Sequence, residues 1–599
     1  MLLRSILMDI FGKNFEHKIN KMIEKYGKRK MPIMKPSPDQ DDEEDIDDRY
    51  YEYYFHYDKR KEESFSIKDF QLPLSNKQEY YIIFFDTEIA DGIRKVTNNP
   101  EMFKDPPEID IEDLYCCIQI LRAKQNKVIK RVLHFVEELF KDKYNKMDSM
   151  INSGMIDFQS LWYYLDKVNT IYVIKHLEED ICFKYKYFTN IDDCNGGKSL
   201  LLTGNIIVPY NSTLNVSELR YDIKKFPGTK KINTLKITPL QEKSKYIDHG
   251  EKVLRLYGNI KHMHLNGKHY IKTEKSDYIA HERNERVIID YEGMVRYNGL
   301  PFDFDLKKTI ENLAEEDKII MYPFVCTYNL GIGKTWGLAH IKNLVDVVYQ
   351  KDAFDRLVLE PEKKKIIKSL ILYKSDKFKD FIETKGNGLI FLLYGAPGTG
   401  KTLSAEATCE LLEKPMYCLN VGDLGIDPEH MEIIMNTVFE YSKRWDAIIC
   451  IDEVDIFLEE RENNMIARNA MVGIFLKLLE YHNGIIFLTT NRLTSLDPAI
   501  KSRINLMISY KDLTSERRVT IWKSLCQKWC IDISEKTFKM LGEYKLNGRE
   551  IRNYIKIIIA IHEESKEKIT DQSIIKELDN CLDLSKEFDV SVNSSRIYT

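Results

Sequence analysis

Residues 395–402, GAPGTGKT, constrain the fold of this chain more than any other segment. They match the pattern G-x-x-x-x-G-K-[ST] at every fixed position, including Lys401 and Thr402. An apolar run of strand length, GLIFLLY, precedes the loop, and the helix-forming run TLSAEATCELLEK follows it. A glycine loop between a buried strand and a helix predicts a phosphate-binding loop within an α/β fold.

The predicted loop has the chemistry needed to hold nucleotide phosphates. Backbone N–H groups and the positive end of the following helix attract an anion, and glycines leave room for the backbone to wrap around it. Lys401 is expected to bridge the β- and γ-phosphates of ATP, and Thr402 to bind Mg²⁺. The expected nucleotide-binding residues are Gly395, Ala396, Pro397, Gly398, Thr399, Gly400, Lys401 and Thr402.

A second Gly-Lys-Thr, in NLGIGKTWGL at 329–338, does not meet the same test. Tyr328 stands where the phosphate loop needs its first glycine, and Trp336 and Gly337 follow where a helix should begin. We interpret this segment as a look-alike. Its place between two regions of different pattern predicts a glycine-punctuated hinge within a linker at 331–354.

Two carboxylates follow the next predicted strand of the α/β region. The run AIICIDEVD is apolar from Ala447 to Ile451 and then presents Asp452 and Glu453. Ligands of parallel sheets collect at the carboxyl ends of the strands, so both side chains are expected beside the phosphate loop. Asp452 is the expected partner of Mg²⁺ together with Thr402, and Glu453 is expected to polarise the attacking water.

A third strand completes an ordered set of motifs. GIIFLTT ends at Asn491, and LDPAIKSRI follows with Arg503. This order of phosphate loop, Asp-Glu strand, Asn strand and arginine resembles that of the AAA+ ATPases. The resemblance implies a parallel sheet flanked by helices, a C-terminal helical lid, and ATP and Mg²⁺ as ligands. Asn491 would orient the water or sense the γ-phosphate.

The same resemblance implies roles for two arginines. Arg503 corresponds to the arginine finger, which reaches the ATP of a neighbouring subunit and therefore implies a ring. In LNGREIRN, near 546–553, Arg549 corresponds to the second sensor of the lid, with Arg552 as the alternative. The implied catalytic set is Glu453, Asn491, Arg503 and Arg549.

Longer blocks narrow the resemblance to a mostly fungal group of AAA ATPases that also occurs in large DNA viruses. The blocks are FLLYGAPGTGKTLSAEA, GDLGIDPEHME, DEVDIFLEER, RNAMVGIFLKLLEYHNGIIFLTTNR and GREIRN. Upstream, FQSLWYYL, FPGTKKINTLKITPL and ERVIIDYEGMVRYN resemble a further region of that group. The resemblance spans roughly residues 150–584.

Two segments depart from the usual AAA pattern. NVGDLGIDPEHMEI has no aromatic residue where protein unfoldases place a pore loop, and KSRINLM carries one arginine where two are usual. Threading of an unfolded polypeptide is therefore not indicated, and handling of a folded partner or switching of an assembly stays open.

The chain of 599 residues divides by pattern into six parts. A Lys-rich start followed by prolines and an acidic block predicts a largely disordered arm. Short β-like runs then predict a domain for partner recognition, and alternating strands and helices predict the ATPase. The parts are the arm 1–75, a β-rich α+β domain 76–330, the linker 331–354, the large ATPase subdomain 355–510, the helical lid 511–584 and the tail 585–599.

Composition argues against several other classes. With 31% charged residues and a net charge of −5, the chain as a whole does not attract nucleic acid or membrane. The 11 cysteines include no Cys-x-x-Cys pair, and no apolar run is long enough for a membrane span, which predicts a reduced intracellular protein, cytoplasmic or nuclear. Abundant Lys, Ile, Asn and Tyr favour an AT-rich genome, so a viral protein in the host cytoplasm or virion is one expectation.

Three functions stay open at this point. The leading hypothesis is a chaperone-like, Mg²⁺-dependent AAA ATPase that forms a hexameric ring and remodels an unidentified protein partner. The alternative is a nucleic-acid-associated ATPase or loader in replication or packaging, which the charge balance does not indicate. The third is an assembly scaffold in which bound nucleotide fixes the oligomeric state.

Overall fold

The computed structural model describes residues 65–71, 78–97, 100–110, 114, 127–168, 170–192, 198–210, 213–275, 277–299, 306–372, 388–425, 427–458, 466–492 and 497–595. These fall into two compact units. The first is drawn from Met1–Ile174, Lys184–Gly204 and Arg220–Gln241, and the second from Lys175–Phe183, Asn205–Leu219 and Glu242–Thr599. Most of the predicted arm 1–75 lies outside the described residues.

The N-terminal part combines small antiparallel sheets with two longer helices. Its first elements are β1 (Phe65–Gln71), β2 (Gln78–Phe84), α1 (Thr87–Thr97), β3 (Glu108–Asp110), α2 (Lys127–Asn152), β4 (Met155–Asp157) and α3 (Leu161–Val168). Strands β1, β2 and β3 form an antiparallel sheet in that order, and β4 pairs with β9 (Thr229–Lys231). Strands β1, β2 and β3 are consecutive in the chain, whereas β4 and β9 are far apart in sequence.

Six strands form a larger sheet. Four of them, which are consecutive in the chain, are also neighbours in the sheet. The strands are β5 (Ile171–His176), β6 (Glu179–Asp192), β7 (Lys198–Tyr210), β8 (Thr213–Lys224), β10 (Ile237–Pro239) and β13 (Leu306–Ile310). Their order is β10-β5-β6-β7-β8-β13. Two residues, Leu177 and Glu178, connect β5 to β6, which is a connection length typical of a hairpin.

A second β-rich body follows helix α4 (Ser244–Leu256). It contains β11 (Lys261–Lys272), β12 (Tyr278–Ile289), α5 (Tyr291–Asn298), β14 (Phe324–Asn329), β15 (Trp336–His340) and β16 (Leu344–Asp346). Strand β11 pairs with β12, β15 and β16, and β14 pairs with β12 and β15. Strands β11, β12, β14 and β15 therefore form a closed ring of strand pairings. Every residue of β14 and β15 is buried.

The structure differs from the predicted linker at 331–354. Strand β15 lies in that segment and pairs with β14 on one side and β11 on the other. Gly337 is required there by packing, because a Cβ atom at this position would lie 2.6 Å from the carbonyl oxygen of Tyr270. The glycine that indicated a hinge in the sequence allows two strands to approach closely instead.

The C-terminal half contains a five-stranded parallel sheet, as predicted. Its order is β18-β19-β20-β17-β21, and every neighbouring pair is parallel. The central strands are continuous apolar runs because helices cover both faces of such a sheet. The elements are α6 (Pro361–Leu372), β17 (Leu389–Gly395), α7 (Lys401–Leu412), β18 (Met416–Asn420), α8 (Val421–Leu424), α9 (Pro428–Trp445), β19 (Ile448–Asp452), α10 (Asp455–Leu458), α11 (Ile466–Tyr481), β20 (Ile485–Thr490), α12 (Pro498–Lys501) and β21 (Leu506–Tyr510).

Within the described residues after β21, up to residue 595, the regular elements are all helices. They are α13 (Ser515–Lys528), α14 (Glu535–Glu543), α15 (Gly548–Ser565) and α16 (Asp571–Ser595). They pack around a separate apolar cluster that includes the fully buried Trp522 and Leu541. The last helix continues beyond residue 584, where sequence analysis ends the lid. Among the helices of the described ranges, none is both long enough and apolar enough to cross a membrane.

Candidate active site

The loop from Gly395 to Thr402 joins the end of β17 to the start of α7. Gly395, Gly398 and Gly400 have positive φ angles of 144°, 73° and 101°. A Cβ atom on Gly395 would lie 2.0 Å from the carbonyl oxygen of Tyr510, whereas one on Gly400 would meet no atom within 4 Å. The first glycine therefore lets β17 approach β21, and the last leaves open space beside the N-terminus of α7, where a phosphate fits.

Lys401 is almost fully buried, at 7% exposure, and its amine is held at the rim of this loop. The Nζ atom donates hydrogen bonds of 2.8 Å to the carbonyl oxygens of Gly395 and Ala396. A third, also of 2.8 Å, goes to Oδ1 of Asn491. Burial lowers the pKa of Lys401, and the positive charge of Arg549 lowers it further. An anionic ligand at the loop would reverse that shift.

Thr402 and Asp452, predicted as the Mg²⁺ ligands, are in contact. The Thr402 hydroxyl lies 3.1 Å from Oδ1 of Asp452. Asp452 is the last residue of β19, next to β20 in the sheet. A hydroxyl and a carboxylate at this separation are hard oxygen donors of the kind that Mg²⁺ prefers, so the residues present fit that ion.

Thr489 supports Asp452 and was not singled out from the sequence. Its hydroxyl donates a 2.7 Å hydrogen bond to Oδ1 of Asp452, and its carbonyl oxygen accepts one of 3.0 Å from the N–H of Val454. The side chain is buried, at 3% exposure. A polar residue near the end of an otherwise apolar strand is the signal that could have identified it.

Glu453 leaves the sheet through an unusual backbone conformation. Its φ angle is 60°, in the left-handed region, which costs a non-glycine residue about 1–3 kcal/mol. Its N–H lies 3.4 Å from the Thr489 hydroxyl, and its side chain is exposed. Such strain is often retained at functional sites, and the exposed Glu453 side chain lies directly after Asp452 at the carboxyl end of β19.

Arg503 follows helix α12 and contacts its own chain. The Nη2 atom lies 3.0 Å from Oε2 of Glu480, and Nη1 donates a 2.9 Å hydrogen bond to the carbonyl oxygen of Ala499. Neither partner belongs to the phosphate loop or to the carboxyl end of β19. The structure of one chain therefore does not bring Arg503 together with the other predicted site residues.

The first turn of α15 touches the phosphate loop. Asn547 caps this helix, and the N–H of Gly548 donates a 3.0 Å hydrogen bond to the carbonyl oxygen of Gly398. A Cβ atom on Gly398 would lie 2.4 Å from Oδ1 of Asn547. Arg549 comes next in the same turn, and its charge acts on Lys401. Of the two alternatives, Arg549 is the arginine whose charge reaches the phosphate loop.

The second Gly-Lys-Thr lies apart from this arrangement. A strand, β15, follows it rather than a helix, so no helix N-terminus faces its backbone. Lys334 forms an ion pair with Asp423, with 2.7 Å between Nζ and Oδ2. Its charge is therefore compensated by a carboxylate of the segment after β18.

Comparison with known families matches two regions. Residues 391–511 match the model of the ATPase family associated with various cellular activities (AAA). Residues 146–244 match a domain of unknown function, DUF7025. The second match covers two of the three upstream segments quoted above, FQSLWYYL and FPGTKKINTLKITPL. The chain therefore contains an AAA ATPase domain preceded by a DUF7025 domain.

Similar proteins match part of the chain at low identity. A protein of Methanocaldococcus jannaschii, named as a 26S proteasome regulatory subunit homologue, is 25% identical over 222 residues, covering 35% of this chain and 58% of its own length. ATPase family AAA domain-containing protein 3 of Bos taurus is 25% identical over 190 residues, covering 30% of this chain and 31% of its own length. The chain thus spans less than two thirds of these relatives.

A solved structure also matches. The crystal structure of the FIGL-1 AAA domain aligns with 41% of this chain and 91% of its own length, with a TM-score of 0.32 and 19% identity.

Proposed function

From the AAA ATPase domain at residues 391–511, we propose that this chain is a Mg²⁺-dependent ATPase. We further propose that it works in a ring-shaped, hexameric homo-oligomer and remodels a protein partner. One observation carries the proposal: Lys401, Thr402, Asp452 and Asn491, from three separate motifs, meet at the carboxyl edge of one parallel sheet. This is the edge at which open α/β sheets bind ligands.

Binding of ATP relies on the loop between β17 and α7. Its backbone N–H groups and the positive end of α7 attract the phosphates, and Lys401 is already within reach of the loop carbonyls. When phosphate is bound, the Lys401 amine exchanges its carbonyl partners for phosphate oxygens. Asn491, now bonded to Lys401, is then adjacent to the γ-phosphate.

Thr402 and Asp452 would hold Mg²⁺. When bound, the ion neutralises charge that develops between the β- and γ-phosphates during phosphoryl transfer. Thr489 keeps the Asp452 carboxylate oriented by its 2.7 Å hydrogen bond. Supporting hydrogen bonds of this kind typically contribute 10–100-fold to metal affinity or activity.

Hydrolysis needs a water molecule aimed at the γ-phosphate. Glu453 accepts a proton from that water or orients it, because its exposed side chain directly follows Asp452 at the carboxyl end of β19. Asn491, which accepts a hydrogen bond from Lys401, orients the same water or senses the γ-phosphate. General-base catalysis of this kind contributes roughly 10²–10⁴-fold to the rate.

The helical lid senses the state of the loop through α15. Its contact with Gly398 is backbone to backbone, so any movement of the loop on nucleotide binding displaces the start of the helix. Arg549 brings a positive charge towards Lys401. Added phosphate charge draws both cations inwards, and loss of the γ-phosphate releases the lid.

The β-rich body is in direct contact with the ATPase, which supports transmission of movement to a bound partner. Asp290 at the start of α5 binds Arg444 of α9 through two hydrogen bonds, of 2.5 and 2.8 Å. The hydroxyl groups of Tyr328 and Tyr417 lie 2.8 Å apart, and the indole N–H of Trp336 donates to Tyr441. The β-rich body and the ATPase are therefore joined by packed side chains where the sequence predicted a hinge. A movement of α9 then moves the β-rich body with it.

We extend the proposal to the source and location of the protein. The sequence blocks that resemble the mostly fungal and large-DNA-virus group support that group as its relatives. Free thiols at Cys182, Cys326 and Cys450 support a reducing, intracellular compartment.

A subunit-mixing experiment tests the ring. Glu453→Gln removes the proposed base and leaves Arg503 intact, whereas Arg503→Ala removes the finger and leaves Glu453 intact. If Arg503 acts in the neighbouring subunit, each variant alone is inactive and a mixture regains ATPase activity. Lys501→Ala, which alters an exposed cation at the end of α12, two residues before Arg503, is the matched control and keeps full activity. Wild-type activity of Arg503→Ala alone would refute the shared site.

A second experiment separates partner classes. ATP hydrolysis is measured with and without double-stranded DNA across a salt series. Indifference to DNA agrees with a protein partner, whereas stimulation that falls steeply with salt favours the nucleic-acid alternative. Full biological function of a ring-forming Glu453→Gln variant would favour the scaffold.

A further inference from the structure

Two cysteines lie side by side next to the proposed Mg²⁺ ligand. Cys418 on β18 and Cys450 on β19 are direct partners in the parallel register. Registered residues of neighbouring strands project from the same face of a sheet, and residues two apart on one strand do so as well. Asp452 follows Cys450 by two positions, so all three side chains share one face.

Their donor atoms are close enough to bind one ion. The two sulfur atoms and a carboxylate oxygen all lie within 4.8 Å of one another, and Sγ of Cys450 lies 3.8 Å from Oδ1 of Asp452. In a tetrahedral zinc site, Zn–S is about 2.3 Å and Zn–O about 2.0–2.2 Å, which places ligand atoms roughly 3.5–3.8 Å apart. The cluster therefore needs only small side-chain adjustments.

We propose that Cys418, Cys450 and Asp452 form a binding site for a thiophilic divalent cation, with Zn²⁺ as the natural candidate. Two sulfur ligands select Zn²⁺ over Mg²⁺, because soft thiolates bind borderline and soft ions while Mg²⁺ prefers oxygen. Three protein ligands leave a fourth position for water or a phosphate oxygen. Zinc binding displaces one proton from each thiol into solvent.

Occupation of this site competes with the site for Mg²⁺. Asp452 is common to both, and its Oδ1 atom already accepts hydrogen bonds from Thr402 and Thr489. Rotation of the carboxylate towards the two sulfur atoms weakens its contact with Thr402. Zn²⁺ on this carboxylate also places a second positive charge next to the Mg²⁺ position, so Zn²⁺ acts as an inhibitor. The inhibitory part of this inference rests on the proposed ATPase function.

The ion reaches the site past the two ligands that are not fully buried. Cys450 is fully buried, whereas Cys418 and Asp452 are partly exposed. Asp452 is also the proposed Mg²⁺ ligand, so saturating Mg²⁺ and ATP slow the entry of Zn²⁺.

Cobalt spectroscopy tests the site independently of activity. The full-length chain carries Cys530→Ser, because Cys530 is an exposed thiol that would bind metal at the surface. One equivalent of Co²⁺ is expected to give sulfur-to-cobalt charge-transfer bands, and Zn²⁺ to abolish them. Cys418→Ala and Cys450→Ala each lose the bands, with Co²⁺ affinity at least roughly 100-fold weaker, the upper end of the loss from altering a supporting residue. Cys409→Ala, which alters a buried thiol of α7, is the matched control and keeps them.

Activity provides the second measurement. Zn²⁺ lowers the rate of Mg²⁺-dependent ATP hydrolysis, a zinc-selective chelator restores it, and Cys418→Ser, which changes a partly exposed side chain, resists inhibition. Charge-transfer bands that persist in the Cys418→Ala, Cys450→Ala double variant overturn the site. Bands without any ATPase activity would leave the metal site standing and count against the proposed function. ATPase activity without charge-transfer bands would overturn the metal site and leave the proposed function standing.

Discussion

The Nζ atom of Lys401 donates a 2.8 Å hydrogen bond to Oδ1 of Asn491, a residue ninety positions later in the chain. The contact exists because β17 and β20 are neighbours in the parallel sheet, so the loop after one strand meets the residue after the other. The amine and the amide thus lie together at the carboxyl edge of the sheet.

The two Gly-Lys-Thr segments should respond differently to the same substitution. Lys401→Ala removes the amine that faces the phosphate loop and should weaken ATP binding at least about 100-fold, or about 2.7 kcal/mol. Lys334→Ala removes only an ion pair with Asp423 and should leave binding unchanged. Equilibrium titration with a fluorescent ATP analogue measures both. Equal losses in the two variants would contradict the assignment of a single phosphate loop.

Glu453→Gln should separate binding from hydrolysis. The amide cannot accept the proton of the attacking water, so the turnover rate should fall roughly 10²–10⁴-fold while ATP affinity stays the same. Single-turnover hydrolysis and nucleotide titration provide the two measurements. Glu432→Gln, on the exposed surface of α9, is the matched control and should behave as wild type. Loss of ATP binding in Glu453→Gln would indicate a role in the Mg²⁺ site instead.

The lid arginines should be distinguishable by substitution. Arg549 acts on Lys401 electrostatically, so Arg549→Ala should raise the Kd for ATP and lower turnover. Arg552→Ala, one turn later on the same helix and also exposed, should have the smaller effect on both. Measuring Kd and kcat for the pair decides between them. A larger loss in Arg552→Ala would reverse the assignment of the second sensor.

Asp290→Ala should destabilise the second unit. Its carboxylate is 2% exposed and accepts hydrogen bonds from Arg444, from the indole N–H of Trp445 and from the N–H of Gly293. Removing one partner of a buried ion pair typically costs 3–5 kcal/mol, and the partial exposure of Arg444 favours about 3 kcal/mol here.

The matched control for that prediction is Glu292→Ala. Glu292 pairs with the same arginine at 3.0 Å but is 65% exposed, and pairs of this kind contribute about 0–1 kcal/mol. Chemical denaturation gives the free energy of unfolding for both variants. Similar losses of unfolding free energy in Asp290→Ala and Glu292→Ala would show that burial of Asp290 adds nothing to the stability.

Acid should weaken the closed β-rich body through its buried histidines. Burial lowers the pKa of His269 from 6.5 to about 4. The unfolded chain therefore binds a proton below pH 6.5 that the folded chain refuses, so stability is complete above pH 6.5 and is lost as pH falls towards 4. At pH 5.5 this one residue should cost about 1.4 kcal/mol.

Unfolding free energies at pH 7.5 and 5.5 check the effect. His269→Asn should lose about 1.4 kcal/mol less than wild type between the two values. His281→Asn, which alters the exposed register partner of His269 on β12, is the control and should follow wild type. The same acid loss in His269→Asn and wild type would exclude this residue as the cause.

Some of the site follows from sequence because its chemistry is local. The phosphate loop needs glycines at fixed places between a strand and a helix, and carboxylates collect where apolar parallel strands end. Those two rules single out Lys401, Thr402 and Asp452, which lie together with Asn491 in the structure. The parallel α/β sheet is confirmed for the same reason, since continuous apolar runs between helices have few other solutions.

Other features depended on which strands become neighbours. Register sets Cys418 opposite Cys450, and the adjacency of β19 and β20 places Thr489 under Asp452. The glycine pattern around Gly337 is equally consistent with a hinge and with a tightly packed strand, and only the approach of Tyr270 decides between them. The sequence by itself determined the chemistry available at each strand end, because that chemistry depends on residue type and spacing. The tertiary structure decided which of these groups meet, because pairing between distant strands is selected by the packing of the whole sheet.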